Sequence, residues 1–128
     1  MVRLVFYSEE KEHADTLAKS CFQRVKDLDT ILSDYRADSE VSELCAKPIG
    51  KAHKVSDALF SVIAQAQAIS AKSNGAFDVT LGKHTQAWRE LTMLENPSVG
   101  APSYRDLILD HDKKAITLQK SLKIDLGG

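Results

Sequence analysis

The apolar positions of the chain follow first a period of two and then steps of three and four. Val2 to Tyr7 places its apolar residues on one side, which predicts a strand. The following stretch carries a continuous apolar stripe, which predicts one long amphipathic helix. The stripe consists of Ala14, Leu17, Ala18, Cys21, Val25, Leu28 and Leu32. We expect this stripe to be buried, with Cys21 acting as a small hydrophobic residue.

Capping signals predict two further helices. Asp38 or Ser39 can cap a short helix, and Ser56 can cap a second amphipathic helix that carries apolar residues at helical spacing. We expect this second long helix to end at the Asn74–Gly75 pair, because glycine readily adopts the left-handed backbone that closes a helix.

The C-terminal part of the chain predicts mainly strands. A weaker helical stretch from Thr85 to Leu94 carries Trp88, and strands are predicted at Leu107–Leu109, Ala115–Leu118 and Leu122–Leu126. A strand and helices followed by a cluster of strands are typical of an α+β fold. The predicted fold is therefore α+β, with a mostly antiparallel sheet and two long amphipathic helices.

Composition narrows the function classes. The chain has 128 residues and a formal net charge of −1, which fits one domain and argues against a nucleic-acid-binding surface. The sequence has no apolar run long enough to span a membrane, and Met1 to Leu4 do not begin a signal peptide. Two cysteines are too few for a disulfide framework or a metal site.

Three segments could bind a ligand. Tyr35 could stack on a planar ring, although the alternative that it covers the end of the long helix is favoured on physical grounds. Glycines at both ends of the loop 75–82 allow backbone N–H groups to approach a ligand, with Asp78 and Thr80 adding an acceptor and a hydroxyl. The alternative is a helix cap and turn with Phe77 in the core, and the residues leave both open. Asp125 precedes a glycine pair, a weak sign of a nucleotide-binding turn.

Taken in order, three blocks of the sequence resemble one family. Residues 32–44 resemble the "LSxYxxDSExSxL" segment of the ApbE-type FAD:protein FMN transferases. Residues 73–82, with Trp88 following, resemble that family's "SGGAFDPTVG…LW" block, and residues 124–128 resemble the start of its "DLGGIAKGYA" block. Departures occur at Lys83, where the family usually has proline, and at Cys45, where asparagine is common.

The resemblance implies a flavin transferase with a T-fold-like domain. Such enzymes split FAD with the help of Mg²⁺ and transfer FMN to a threonine or serine of an acceptor flavoprotein. The residues implied in FAD binding are Tyr35, Gly75, Ala76, Phe77 and Asp125, and the carbonyl of Gly128 is implied next to Mg²⁺. Many members are lipid-anchored in the bacterial cell envelope, and the resemblance extends that location to this protein.

The resemblance also implies that residues 1–128 form the N-terminal portion of one such domain. The lysine of the "IAKG" helix and the later Asp-x-x-x-Thr cluster have no counterpart here, so we expect no FMN transfer by these residues alone. Two alternatives stay open. One is a non-catalytic FAD-binding module. The other is a structural half-domain that self-associates as a homodimer.

Overall fold

The protein was analysed as a computed structural model that describes residues 2–83, 85 and 100–126. Its elements are α1 (Lys11–Leu32), α2 (Glu40–Cys45), β1 (Ala52–Lys54), α3 (Asp57–Lys72), a 3₁₀ turn (Tyr104–Asp106), β2 (Leu107–Asp110) and β3 (Ala115–Leu118). Two long helices and a small antiparallel sheet confirm the predicted α+β class. Residues 86–94 of the predicted weak helix, with Trp88, lie outside the described residues.

The described strands form one antiparallel sheet in the order β1–β3–β2. The strands predicted at Leu107–Leu109 and Ala115–Leu118 are confirmed, and they pair with Leu107 opposite Leu118 and Asp110 opposite Ala115. β1 pairs with the far edge of β3, which local sequence did not indicate. The strand predicted at Leu122–Leu126 is wrong, because Lys123 makes only a single parallel bridge, to Leu81.

One hydrophobic core joins the helices to the sheet. Its fully buried members are Val41 of α2, Leu59 and Ile63 of α3, Leu107 of β2, Ile116 and Leu118 of β3, and Ile124 beyond the sheet. Burying an aliphatic side chain of this size contributes roughly 1.5–3 kcal/mol, so this cluster is the main source of stability. It also fixes α3 against the chain segments that carry the candidate site.

The predicted caps of α2 and α3 are confirmed, and one carboxylate connects the two helices. Ser39 accepts a hydrogen bond from the Ser42 amide, and Ser56 accepts one from the Leu59 amide. Glu40, in the first turn of α2, accepts from both the amide and the hydroxyl of Ser56, each at 2.6 Å. A charged acceptor makes these bonds stronger than neutral ones, so Glu40 fixes the start of α3 relative to α2.

The N-terminal predictions are partly wrong. Residues 2–7 form no strand, because a strand needs a hydrogen-bonded neighbour and none of the described strands pairs with them. α1 forms as predicted, yet none of its residues is buried, and Cys21 is exposed rather than packed in a core. Only Ile31 and Leu32, in its last turn, pack against the core. Within the stripe, Leu17 and Cys21 are exposed and the other five residues are partly buried.

The two cysteines should react with thiol reagents at very different rates. Burial raises the pKa of Cys45, while the Ile124 amide that donates to its Sγ and the charge of Lys123 oppose this shift. A raised pKa and poor access both reduce the reactive thiolate, whereas Cys21 is exposed. We expect one equivalent of iodoacetamide to be taken up quickly at pH 8, on Cys21, and the second only after unfolding. Peptide mapping that finds Cys45 modified first would contradict this.

Candidate functional site

A cavity of about 460 Å³ opens between α3 and the loop 75–82. Its size is within the range of small-molecule sites, and most of its wall is apolar. The side chains that line it come from α3, from the loop and from the segment after β3: Val62, Gln65, Ala66, Ile69, Ala76, Phe77, Asp78, Val79, Leu81, Thr85, Asp125 and Leu126. This composition suits an apolar or planar group held by a few polar contacts.

The loop begins where α3 ends, in a left-handed turn. Asn74 and Gly75 have φ angles of 52° and 83°, and the Gly75 amide donates to the Ser70 carbonyl at 2.8 Å. A Cβ atom at Gly75 would lie 3.5 Å from the Tyr104 ring, so the glycine is needed for its backbone rather than for space. The turn directs the following residues, Ala76 and Phe77, along the wall of the cavity.

Asp78 holds the loop in shape. Its Oδ1 accepts from the amide and the hydroxyl of Thr80, at 2.9 and 2.6 Å, and its Oδ2 accepts from the Tyr104 amide at 2.8 Å. The sequence suggested that Asp78 and Thr80 offer an acceptor and a hydroxyl to a ligand. Instead the two side chains bind each other, and Asp78 ties the loop to the 3₁₀ turn.

Asp125, in the segment after β3, also lines the cavity. Its side chain accepts from the Thr85 hydroxyl at 2.6 Å, and its amide donates to the Val79 carbonyl at 2.8 Å. Asp125 is buried, as is Thr80. Two hydrogen-bonded links therefore join the segment after β3 to the loop, because the Gly82 amide also donates to the Lys123 carbonyl at 3.0 Å.

The structure brings together three of the six residues singled out from the sequence. Ala76, Phe77 and Asp125 line one cavity, and Gly75 forms the turn that precedes it. Tyr35 is 75% exposed beyond the end of α1 and is not among the lining residues. Gly128 lies outside the described residues.

Sequence reasoning missed Gln65. It lies on α3 one residue before Ala66 and four before Ile69, and so shares the face of the helix that lines the cavity. The four-residue spacing between Gln65 and Ile69 would have indicated that Gln65 lines the cavity, had the packing of the loop beside α3 been known. That packing depends on residues far apart in the chain.

The described residues include no cluster of metal-binding side chains. No group of three His, Cys, Asp or Glu side chains in the part of the chain that is described could hold a metal ion. Both carboxylates of the cavity wall accept hydrogen bonds within the protein, Asp78 from Thr80 and the Tyr104 amide, and Asp125 from Thr85. Mg²⁺ takes six oxygen ligands in octahedral geometry, so further ligands are needed.

Comparisons with known proteins assign the chain to a family. The model of the ApbE family matches residues 1–128, and the chain therefore belongs to that family. A comparison with curated proteins gives no match. Among the described residues, no helix is long and apolar enough to cross a membrane.

Solved structures of similar fold are ApbE proteins. The chain is 24% identical to the ApbE protein of Thermotoga maritima, with a TM-score of 0.73 over 94% of this chain and 42% of that one. It is 25% identical to the flavinyl transferase ApbE of Pseudomonas stutzeri, with a TM-score of 0.70 over 88% and 38% of the two chains. For the flavin transferase ApbE of Vibrio cholerae the identity is 22% and the TM-score 0.72, over 88% and 39%. The chain thus spans about two fifths of the length of these relatives.

Proposed function

We propose that this chain contributes the FAD-contacting part of a flavin transferase. The observation that carries the proposal is the apolar cavity beside the loop 75–82, in a chain of the ApbE family. A planar ring of FAD would lie against Phe77 and the aliphatic face of α3, where it loses contact with water. Flavin transfer by relatives of the same fold supports this choice of ligand.

The proposed reaction moves the FMN half of FAD to a protein hydroxyl. The oxygen of an acceptor threonine or serine forms a bond to the phosphorus of the FMN half, and the bond from that phosphorus to the AMP oxygen breaks. AMP leaves with the electron pair, and the hydroxyl proton passes to a base. A bound Mg²⁺, held by ligands beyond those of the described residues, would supply neutralisation of the pyrophosphate charge.

The polar side chains of the cavity have different roles in the proposed binding of FAD. Asp78 shapes the loop, and Asp125 is paired with Thr85 at one edge. Gln65 brings an exposed amide, with two donors and one acceptor, to the apolar wall of α3. We propose that this amide pairs with the hydrogen-bonding edge of the bound ring, while Asp125 accepts from a ribose or ribityl hydroxyl.

Replacing Phe77 by alanine should weaken FAD binding by this chain about tenfold, because the ring loses its aromatic contact. Flavin fluorescence and calorimetry would measure the affinity, with and without a metal chelator. Phe22→Ala is the matched control, since Phe22 is 44% exposed and Phe77 41%, yet Phe22 lies on α1 away from the cavity lining. We expect the control and the chelator to leave the affinity unchanged. Equal affinities for both variants, or no FAD binding by the parent chain, would contradict the proposal.

A second candidate function is FAD binding without catalysis. It is favoured by the absence, within the described residues, of three side chains that could hold a metal. A polypeptide that joins this chain to the remaining part of an ApbE domain would distinguish the two candidate functions. Flavin transfer to an acceptor peptide, dependent on added Mg²⁺, would establish the transferase; FAD binding with the acceptor left unlabelled would establish the binding module.

By the same family resemblance we propose a location in the cell envelope.

A further inference from the structure

Thr85 is a polar residue of the cavity wall to which the proposed function gives no role of its own. It follows the loop 75–82, and its amide donates to the Leu81 carbonyl at 3.0 Å, as in a turn of helix. Its hydroxyl lies within reach of three acceptors, which are the Asp125 carboxylate at 2.6 Å and the carbonyls of Gly82 and Leu81 at 3.1 and 3.5 Å. Because a hydroxyl carries one proton, it donates to only one of them at a time.

The distances indicate that the hydroxyl donates to Asp125. A length of 2.6 Å is typical of a hydroxyl bound to a carboxylate, roughly 2.5–2.7 Å, whereas both carbonyls lie beyond the usual limit of about 3.0 Å. In a helical turn a threonine hydroxyl often bonds the carbonyl three or four residues earlier. Thr85 instead bonds a carboxylate 40 residues away in the chain. Its hydroxyl therefore joins two parts of the cavity wall rather than supporting its own turn.

Asp125 is held at both its backbone and its side chain. Its amide donates to the Val79 carbonyl at 2.8 Å, and its Oδ2 accepts from Thr85. The residue is buried, so little water is available to replace a lost hydrogen bond to the carboxylate. These two contacts fix the orientation of the carboxylate beside the apolar wall of the cavity. A ligand that meets an acceptor already in place loses less free energy in ordering the site.

We propose that Thr85 is a positioning residue, which holds the Asp125 carboxylate toward a hydroxyl group of the ligand and so makes the cavity selective for flavins with a hydroxylated side chain. This inference rests on the proposed function, in which the cavity binds a flavin. A carboxylate can accept about four hydrogen bonds, so the bond from Thr85 does not exhaust its capacity. The flavin ring itself carries no hydroxyl group, so its contact with Phe77 does not depend on Thr85.

The test compares riboflavin, which carries the ribityl hydroxyls, with lumiflavin, whose ring has a methyl group in place of the ribityl chain. Flavin fluorescence gives both affinities for the parent chain and for Thr85→Val, which keeps the branched shape without the hydroxyl. We expect the parent to bind riboflavin about tenfold more tightly than lumiflavin, the lower end of what a hydrogen bond to a charged group contributes. Thr85→Val should lose this preference with its affinity for lumiflavin unchanged, and Thr85→Ser should restore it. Thr16→Val is the matched control, because that exposed hydroxyl bonds the Glu12 carbonyl of its own helix.

An Asp125→Ala background tests whether Thr85 acts through the carboxylate. In that background Thr85→Val should change neither affinity further, because the group that Thr85 orients is gone. A variant that merely folds less well binds both flavins less tightly and leaves the ratio of the two affinities unchanged. An unchanged ratio in Thr85→Val, or a parent chain that binds both flavins equally, would therefore overturn the proposal alone. A parent chain that binds neither flavin would refute the proposed function and the role of Thr85 with it.

Discussion

Asp78→Ala is expected to destabilise the chain by about 3 kcal/mol, because hydrogen bonds to a charged group contribute roughly 1.5–3 kcal/mol each and are not fully additive. The carboxylate accepts three hydrogen bonds, two from Thr80 and one from the Tyr104 amide. Its loss leaves these donors without their partner and frees the loop from the 3₁₀ turn. Urea denaturation would measure the change in the free energy of unfolding.

Two further variants test whether the loss of stability is specific to the hydrogen bonds of Asp78. Asp78→Asn keeps an oxygen for Thr80 but removes an acceptor from the Tyr104 amide, so about half of the loss is expected. Asp112→Ala, in the exposed turn between β2 and β3, should change stability by less than about 0.5 kcal/mol. Asp78→Ala should also weaken FAD binding, because Phe77 adjoins the residue that is lost. A D78A chain as stable as the D112A chain would show that Asp78 does not hold the loop.

The helices were predictable because their signals are local. Ser39 and Ser56 each cap a helix through the amide three residues on, and this contact depends only on neighbouring positions. The end of α3 at Asn74 and Gly75 follows from the backbone freedom of glycine. The tight pair β2–β3 was likewise predictable, since its strands are adjacent in sequence.

The failures concern contacts between distant residues. The pattern of residues 2–7 indicates a strand whatever neighbours are available, whereas a strand forms only with a hydrogen-bonded partner. The apolar stripe of α1 predicted burial of Cys21, but the described core contacts α1 only at Ile31 and Leu32, and Cys21 is exposed. Residues 47–54, which include β1, allow a loop or a short hairpin, and the pairing of β1 with the distant β3 has no signal in the local sequence.

The site was predictable only in its residue types. The loop block and Asp125 were found as separate motifs, and their meeting in one cavity depends on the parallel bridge between Leu81 and Lys123. No local pattern indicates that bridge. The sequence left the role of the loop open, and the bond from the distant Tyr104 amide, which shows that Asp78 holds the loop in shape, has no local signal.

The same bridge explains the second large effect, which we expect from Gly82→Ala. An added Cβ would lie 2.6 Å from the Lys123 carbonyl oxygen and 3.0 Å from its carbon, closer than nonbonded atoms approach. The obstacle is backbone, so a side-chain rotation cannot relieve it and the two segments must separate. Such overpacking costs about 1–3 kcal/mol, and the lost hydrogen bond from the Gly82 amide adds about 1 kcal/mol.

Gly50→Ala is the matched control, because it introduces backbone strain without a close contact of the added Cβ. Gly50 has a φ of +75° with nothing within 4 Å of the added Cβ, so its substitution costs only the left-handed backbone, roughly 1 kcal/mol. Urea denaturation should therefore rank Gly82→Ala well below Gly50→Ala in stability, and equal losses would contradict the close contact. FAD binding should distinguish the two variants further. Only at Gly82 does the substitution separate the neighbouring segments that carry Leu81 and Asp125, and both residues line the cavity.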